Sequence, residues 1–452
     1  MVSWPRRAVK VRVPATSANL GPGFDALGLA LARYDEVTAE VTGSGLAIEV
    51  SGEGADAATA GERHLVVRAM RAGFEVAVGE QPPGLALSCV NTIPQGRGLG
   101  SSAGAVVAGL LAGRALAALA LSGDALAEQV APESASGGAA PGPDAQVSLP
   151  GDAGSGAASG SLGARPPEQV APESASGGAA PGPDAQVSLP GDGEGTASGS
   201  LGARAGGAAG GAAWFVDEGL LAMAAELEGH PDNAAACLAG GLTVAWTPAP
   251  TDGRPGQRGG CRAVRLEPDP AIVPVVCVPA TSLATKKARR ALPETIPHAD
   301  AAASSGRSAL LVAALTRHPD LLFDATYDLL HEPYRAPLMP ASADLIGRLR
   351  RAGIPAVLSG AGPTVLAFVV NGRTPGSPEV DSIAIQTGNE WHVSPLDVDR
   401  QGATIQSVPP GIRIRAGARQ GRHGGGLRRA RAGHMGRSWP DRWSTSAKHG
   451  HL

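Results

Sequence analysis

Apolar and basic residues alternate along Val9-Lys10-Val11-Arg12-Val13, a period of two that predicts a half-buried strand. Leu85 to Val90, Val357 to Leu358 and Val365 to Val370 are read as further short strands of the same alternating kind. Elsewhere the pattern is helical. An Ala/Val/Leu-rich stretch follows Gly100-Ser101-Ser102 and continues to about Leu116, and Leu121 to Ala127 and Asp217 to Glu228 read the same way. Short strands mixed with such helices imply an α+β or α/β protein.

One region follows neither period. Glu128 to Asp152 recurs letter for letter at Glu168 to Asp192, and Ala158 to Arg165 recurs at Ala197 to Arg204. The unit has no aromatic residue and is mostly Gly, Ala, Ser and Pro, so it buries too little surface to offset its ordering entropy. Two copies without an apolar face are not a solenoid. Residues 129–213 are therefore expected to be a disordered, duplicated insert between two helical segments. A long surface loop adds only about 0.6 kcal/mol of closure cost per doubling of length, so folding can tolerate it. Residues 411–452 form an Arg- and Gly-rich tail with Asp441 as its one acid, also expected to be disordered. Its histidines, His423, His434, His449 and His451, lack metal-ligand spacing.

The chain of 452 residues carries a formal net charge of −3, which gives no global attraction to nucleic acid or membrane. Cys89, Cys237, Cys261 and Cys277 are far apart and read as reduced small hydrophobes. Residues 1–10 lack a signal-peptide core, and no run is expected to reach the roughly 18 to 20 apolar residues of a membrane helix. The expected location is the cytoplasm, with no membrane or nucleic-acid partner.

Candidate chemistry centres on Pro94-Gln95-Gly96-Arg97-Gly98-Leu99-Gly100-Ser101-Ser102-Ala103-Gly104. Its glycines let backbone N–H groups turn inward, and the helix that follows adds orphan donors and a positive dipole end. Such a loop suits phosphate. It is not a Walker A loop, because no Lys follows the last glycine, and the spacing is not that of a dinucleotide fold. Gly100 to Gly104 also satisfies G-x-S-x-G, which would make Ser102 a hydrolase nucleophile, but that elbow needs a strand ending at the serine. Here a Pro- and Gly-rich loop precedes it.

The pattern P-x-x-x-G-L-G-S-S-A resembles the ATP-binding motif of the GHMP kinases. Pro14-Ala15-Thr16-Ser17-Ala18-Asn19-Leu20-Gly21-Pro22-Gly23-Phe24-Asp25-Ala26-Leu27-Gly28 resembles the opening motif of the homoserine kinase branch, and Val357 to Leu366, around Ser359-Gly360-Ala361-Gly362-Pro363, the third motif. Glu226 to Asn233, Thr285 to Arg289 and His331 to Arg335 are similar to further stretches of that branch. The resemblance spans about residues 8–128 and 214–404. It implies an α+β GHMP fold: an N-terminal domain like ribosomal protein S5 domain 2 over 6–250, and a ferredoxin-like domain over 262–405. It also implies ATP-dependent phosphorylation of L-homoserine in threonine biosynthesis, and it admits a homodimer.

Carried over residue by residue, it implies ATP binding by Pro94, Gln95, Gly96, Arg97, Gly98, Leu99, Gly100, Ser101 and Ser102. Mg²⁺ would be held by Ser102 and Glu228, with Glu226 the competing ligand. Two residues apart on a helix, those glutamates point about 200° apart, so one alone can face the nucleotide. Homoserine would meet Asn19, Asp25, His230, Arg289 and Arg335. A guanidinium fork matches the carboxylate, Asp25 and Asn19 suit the ammonium and hydroxyl, and His230 lies near the hydroxyl. Thr285 would join His230 and Arg289 around the transferring phosphate. No general base is assigned, because Asp232 can equally cap a helix. His64 stands where the branch has Asn at the adenine; a neutral imidazole replaces one amide hydrogen bond but not both. Ala234-Ala235-Ala236 and Ala301 to Gly306 also depart from the pattern. A sister kinase for other alcohols and a catalytically impaired relative are the remaining alternatives.

Overall fold

A computed structural model describes residues 2–122, 214–248, 260–370 and 377–408. The expected insert and tail, and residues 123–127 of the expected helix, lie outside them. In chain order the strands are β1 (Ala8–Ala18), β2 (Leu27–Thr42), β3 (Gly45–Gly52), β4 (Gly84–Asn91), β5 (Trp214–Phe215), β6 (Leu242–Trp246), β7 (Arg262–Leu266), β8 (Ile272–Pro279), β9 (Ala356–Leu358), β10 (Val365–Val370), β11 (Trp391–Pro395) and β12 (Thr404–Val408). The helices are α1 (Leu65–Val78), α2 (Ser101–Ser122), α3 (Glu218–Glu228), α4 (Asp232–Ala239), α5 (Thr285–Arg290), α6 (His298–Thr316), α7 (Leu322–Ala325), α8 (Glu332–Arg335), α9 (Pro340–Arg351) and α10 (Ser377–Ile385).

The strands form two sheets. An eight-stranded sheet runs β12-β1-β2-β6-β7-β5, with β4 paired to β2 and β3 paired to β4. A four-stranded antiparallel sheet has the order β11-β8-β10-β9. Strands β8, β9, β10 and β11, with helices in the first and last connections, give the β-α-β-β-α-β sequence of a ferredoxin-like unit, so the class is α+β. The bounds 262–405 begin and end in strands of the larger sheet, since β7 pairs with β6 and β12 pairs with β1.

Side-chain alternation sorts three cores. Val9, Val11 and Val13 of β1 join residues of α1 and α2 in one cluster, while Lys10 on the opposite side pairs with Glu36 at 2.8 Å. Strand β10 is buried along its whole length. Leu366, Phe368 and Val370 face a core shared with Leu20, Leu27 and Leu29; Val365, Ala367 and Val369 face α9 and α10. Covered on both faces, such a strand reads as a continuous apolar run.

Helix α2 corrects two expectations. It extends past Leu116 to Ser122, and over Ser101–Leu121 it is long and apolar enough to cross a membrane. The apolar character has another cause here, since 67% of that window is buried inside the fold. The four thiols are free; burial pushes Cys89 and Cys277 up to about 12 and raises Cys237 further, which suits inert core residues.

Candidate active site

The three glycine-bearing motifs, far apart in sequence, converge through backbone hydrogen bonds. Thr16 N donates to Leu99 O at 3.1 Å, Gly360 N to Ala18 O at 3.0 Å, and Thr364 N to Arg97 O at 3.3 Å. Ser359 Oγ lies 2.6 Å from Gly98 O and 2.8 Å from Ser17 Oγ. Gly98 and Gly100 hold positive φ values of 80° and 71°. A Cβ at Gly98 would strike Ser359 O, and one at Gly100 would strike Thr16 Oγ1. The loop can pass between its neighbours only as glycine.

This junction opens into a cleft of about 580 Å³. Pro94, Gly96, Gly98, Leu99, Gly100, Ser101 and Ser102 line it together with Asn19, Glu228, His230, Thr285, Arg289 and Arg335, whereas His64 and Asp25 are not in the lining. The loop runs directly into the N-terminus of α2, so orphan amide donors and the positive end of the helix face the cavity. Ser102 Oγ donates to Glu228 Oε1 at 2.6 Å. Glu226 is exposed and outside the lining, so of the two glutamates only Glu228 meets the serine.

Two loop residues turn their side chains elsewhere. Gln95 Nε2 donates to Glu53 O at 3.3 Å, and Arg97 donates to Pro279 O and Ala280 O, each at 3.0 Å. The Arg fork suits a pair of carbonyls as well as it suits phosphate, which motif spacing could not distinguish. His64 is the residue before α1, 8% exposed, and its Nδ1 has no hydrogen-bond partner. Burial lowers its pKa and favours the neutral imidazole.

The opposite end of the cleft is rich in charge. Asn19 and Asp25 both adopt positive φ, 69° and 54°, an unusual conformation for residues with a Cβ. Asn19 secures it by accepting from Asp25 N at 2.9 Å and donating to Gly360 O at 2.7 Å. Asp25 then forms a two-pronged pair with Arg289 at 2.8 and 3.3 Å. Arg335 is 1% exposed, donates to Gly360 O at 3.2 Å and to His331 Nδ1 at 3.1 Å, and leaves Nε without a partner. Among the described residues no carboxylate lies within ion-pairing distance of it.

His331 went unassigned in the sequence, although its spacing of four from Arg335 was in view. Burial takes its pKa down to about 4, so the ring is neutral. Its Nε2 lies 3.0 Å from Gly21 O, which fixes the proton there and leaves Nδ1 to accept from Arg335. His230 Nδ1 lies 2.6 Å from Asp232 Oδ1. Burial opposes the charged imidazolium, but the adjacent carboxylate outweighs it and raises the His230 pKa. Asp232 is the first residue of α4 and also accepts from Asn233 N at 2.7 Å. Its carboxylate is thus directed at His230 and a neighbouring amide. Ser102 follows a loop rather than a strand end, since β4 stops at Asn91, and its hydroxyl meets a glutamate. The hydrolase geometry is absent.

Comparison with known proteins agrees with this convergence. The model of the GHMP kinases N terminal domain matches residues 64–151 and that of the GHMP kinases C terminal matches 308–382. A homoserine kinase of Streptomyces coelicolor is 40% identical over 398 residues, 88% of this chain and 94% of that protein. The chain belongs to the homoserine kinase family. A Streptomyces avermitilis homoserine kinase is also 40% identical, covering 88% of this chain and 95% of its own. A solved homoserine kinase from Cytophaga hutchinsonii shares the fold with a TM-score of 0.56 at 21% identity, over 90% of this chain and 99% of that one. Within this family the opening motif at 14–28 lies outside both matched segments, yet it supplies Asn19 to the cleft wall and Asp25 as the partner of Arg289, which lines it.

Proposed function

We propose that this member of the homoserine kinase family transfers the γ-phosphate of ATP to the side-chain hydroxyl of L-homoserine, giving O-phospho-L-homoserine and ADP, a step of threonine biosynthesis. The observation that carries this reading is Arg335, a buried cation on the cleft wall with no carboxylate of its own. A desolvated, unpaired guanidinium is costly unless a ligand anion completes it. Beside it, Asp25 and Arg289 present an anion and a cation together, the complement of an amino-acid zwitterion. Mevalonate-like and sugar substrates do not call for that combination.

The roles follow from position. Backbone donors of Gly96 to Ser102 and the α2 N-terminus hold the phosphates, and His64 offers one hydrogen bond to adenine. Arg335 and Arg289 take the homoserine carboxylate, while Asp25 and Asn19 take the ammonium. His230, held by Asp232, orients the hydroxyl toward the phosphate beside Thr285. Phosphoryl transfer needs chiefly such positioning and charge stabilisation. Ser102 and Glu228 suit Mg²⁺, because an all-oxygen donor pair beside the phosphate loop matches a hard cation that completes its shell with phosphate and water. When bound, that ion neutralises charge on the triphosphate. Cytoplasmic location and a homodimer complete this reading.

A panel of L-homoserine, mevalonate and galactose, each incubated with ATP and Mg²⁺, tests it. ADP release on L-homoserine alone is expected. Faster turnover of either other alcohol by the folded protein assigns the cleft to a sister kinase.

A further inference from the structure

The nucleotide loop and the segment leading into α5 are joined by one side chain, Arg97, and one backbone hydrogen bond. Helix α5 carries Thr285 and Arg289, and it is reached from β8 through the connection at residues 280–284. Arg97 Nε donates to Pro279 O and Nη2 to Ala280 O, both at 3.0 Å, at the point where β8 gives way to that connection. One residue earlier, Gly96 O accepts from Leu283 N at 3.0 Å. One residue later, Gly98 O accepts from Ser359 Oγ at 2.6 Å. Two successive residues of the phosphate loop, Gly96 and Arg97, are therefore bonded to the connection that leads into α5, while Gly98 is tied to the turn after β9.

The Arg97 side chain is only 14% exposed, and its nearest carboxylate is Glu53 at 3.9 Å. Its short bonds go to neutral carbonyls. A cation next to a phosphate loop that spends its donors on backbone acts through geometry more than through charge. Two parallel donors in one rigid plane also suit it to hold consecutive carbonyls in fixed relation, which a rotatable ammonium on a flexible stem does less tightly.

We propose that Arg97 is a positioning residue that couples the two substrates, so that ATP binding pre-orders the α5 clamp and homoserine binding pre-orders the phosphate loop. The proposal rests on the functional reading above. A ligand that immobilises the loop also immobilises residues 280–284 through these bonds, and the second ligand then has less ordering entropy to meet. Such coupling is reciprocal by thermodynamic necessity.

The test is calorimetric titration of the full chain with L-homoserine, with and without saturating β,γ-imido-ATP and Mg²⁺, and the converse titration. In the native protein each ligand should bind at least about fivefold tighter in the presence of the other, by the same factor both ways. Arg97→Met should bring that factor close to one, whatever it does to either single affinity. Arg97→Lys should fall between, because an ammonium on a flexible stem can bond the carbonyls but fixes their relation less rigidly. A purely structural role would lower stability and leave the factor unchanged. Native titrations showing no mutual tightening, or an unaltered factor in Arg97→Met, overturn the proposal. If Arg97→Met does not fold, a native factor in Arg97→Lys overturns it equally. Absence of any homoserine binding, with or without nucleotide, refutes the functional reading instead.

Discussion

A guanidinium removed from water needs either a paired anion or a reason to lack one. Arg335 is fully buried and bonded to a carbonyl and a neutral imidazole, with the ring of Phe24 at 5.4 Å; Asp25, Asp328 and Asp232 act on it electrostatically without reaching ion-pairing distance. Replacing it with Ala should cost homoserine affinity about 2 to 5 kcal/mol, since the bound carboxylate loses its partner, while ATP affinity stays nearly constant. Binding titrations of both ligands check this, and an equal loss for both indicates misfolding. His331 sets the pH dependence at the same spot. Burial depresses its folded pKa from 6.5 to about 4, so as pH falls the unfolded chain takes up the proton first. Stability from the neutral ring is complete above pH 6.5 and is lost as pH drops towards 4. Urea midpoints from neutral to acidic pH should therefore fall less steeply in His331→Gln than in the native protein. Parallel curves would show that His331 is already charged in the fold.

At the level of elements, the most constrained piece is the turn that feeds α2. Gly100 has φ of 71°, and its missing Cβ leaves room for Thr16 Oγ1, which donates to Asn233 Oδ1 at 2.8 Å. Gly100→Ala should cost more than about 1 kcal/mol of stability and weaken ATP binding, because strain and steric displacement act together. Thermal unfolding and the KM for ATP measure it; unchanged values for both would remove Gly100 from the account. The loop and the strands β1 and β10 were legible in sequence because alternation and glycine spacing are local signals. The orientation of Arg97 and the support of Arg335 by His331 were not. Both depend on which distant backbone or ring happens to lie within reach, and no periodicity encodes that. Glu226 and Glu228 could be separated to opposite faces from helical geometry, but only the position of Ser102 shows which face meets the phosphate loop.

At the scale of the whole molecule, the expected insert enters after α2 and returns at β5. Those flanks hold one another without it: Arg114 of α2 pairs with Asp217 at 2.7 Å, and Asp217 accepts from Leu220 N at 3.0 Å to cap α3. Replacing residues 129–213 with a short Gly/Ser linker should therefore keep turnover within about tenfold, or ~1.4 kcal/mol of barrier, a limit that kcat of the shortened enzyme checks. A collapse of kcat with folding intact would make the duplicated segment part of the mechanism. Class and family were legible because three ordered motifs carry them. The bounds of the second body were not, since β7 and β12 cross back to complete the larger sheet. The central claim is that the cleft recognises the carboxylate of an amino acid while phosphorylating its hydroxyl. It is tested most directly by kcat/KM for L-homoserine against 3-amino-1-propanol, which keeps the amine and the hydroxyl but lacks the carboxylate. The native enzyme should prefer homoserine by at least about a hundredfold, in line with 2 to 5 kcal/mol for a buried charge pair, and Arg335→Ala should erase most of that preference. Equal turnover of both alcohols by the native enzyme would contradict the account.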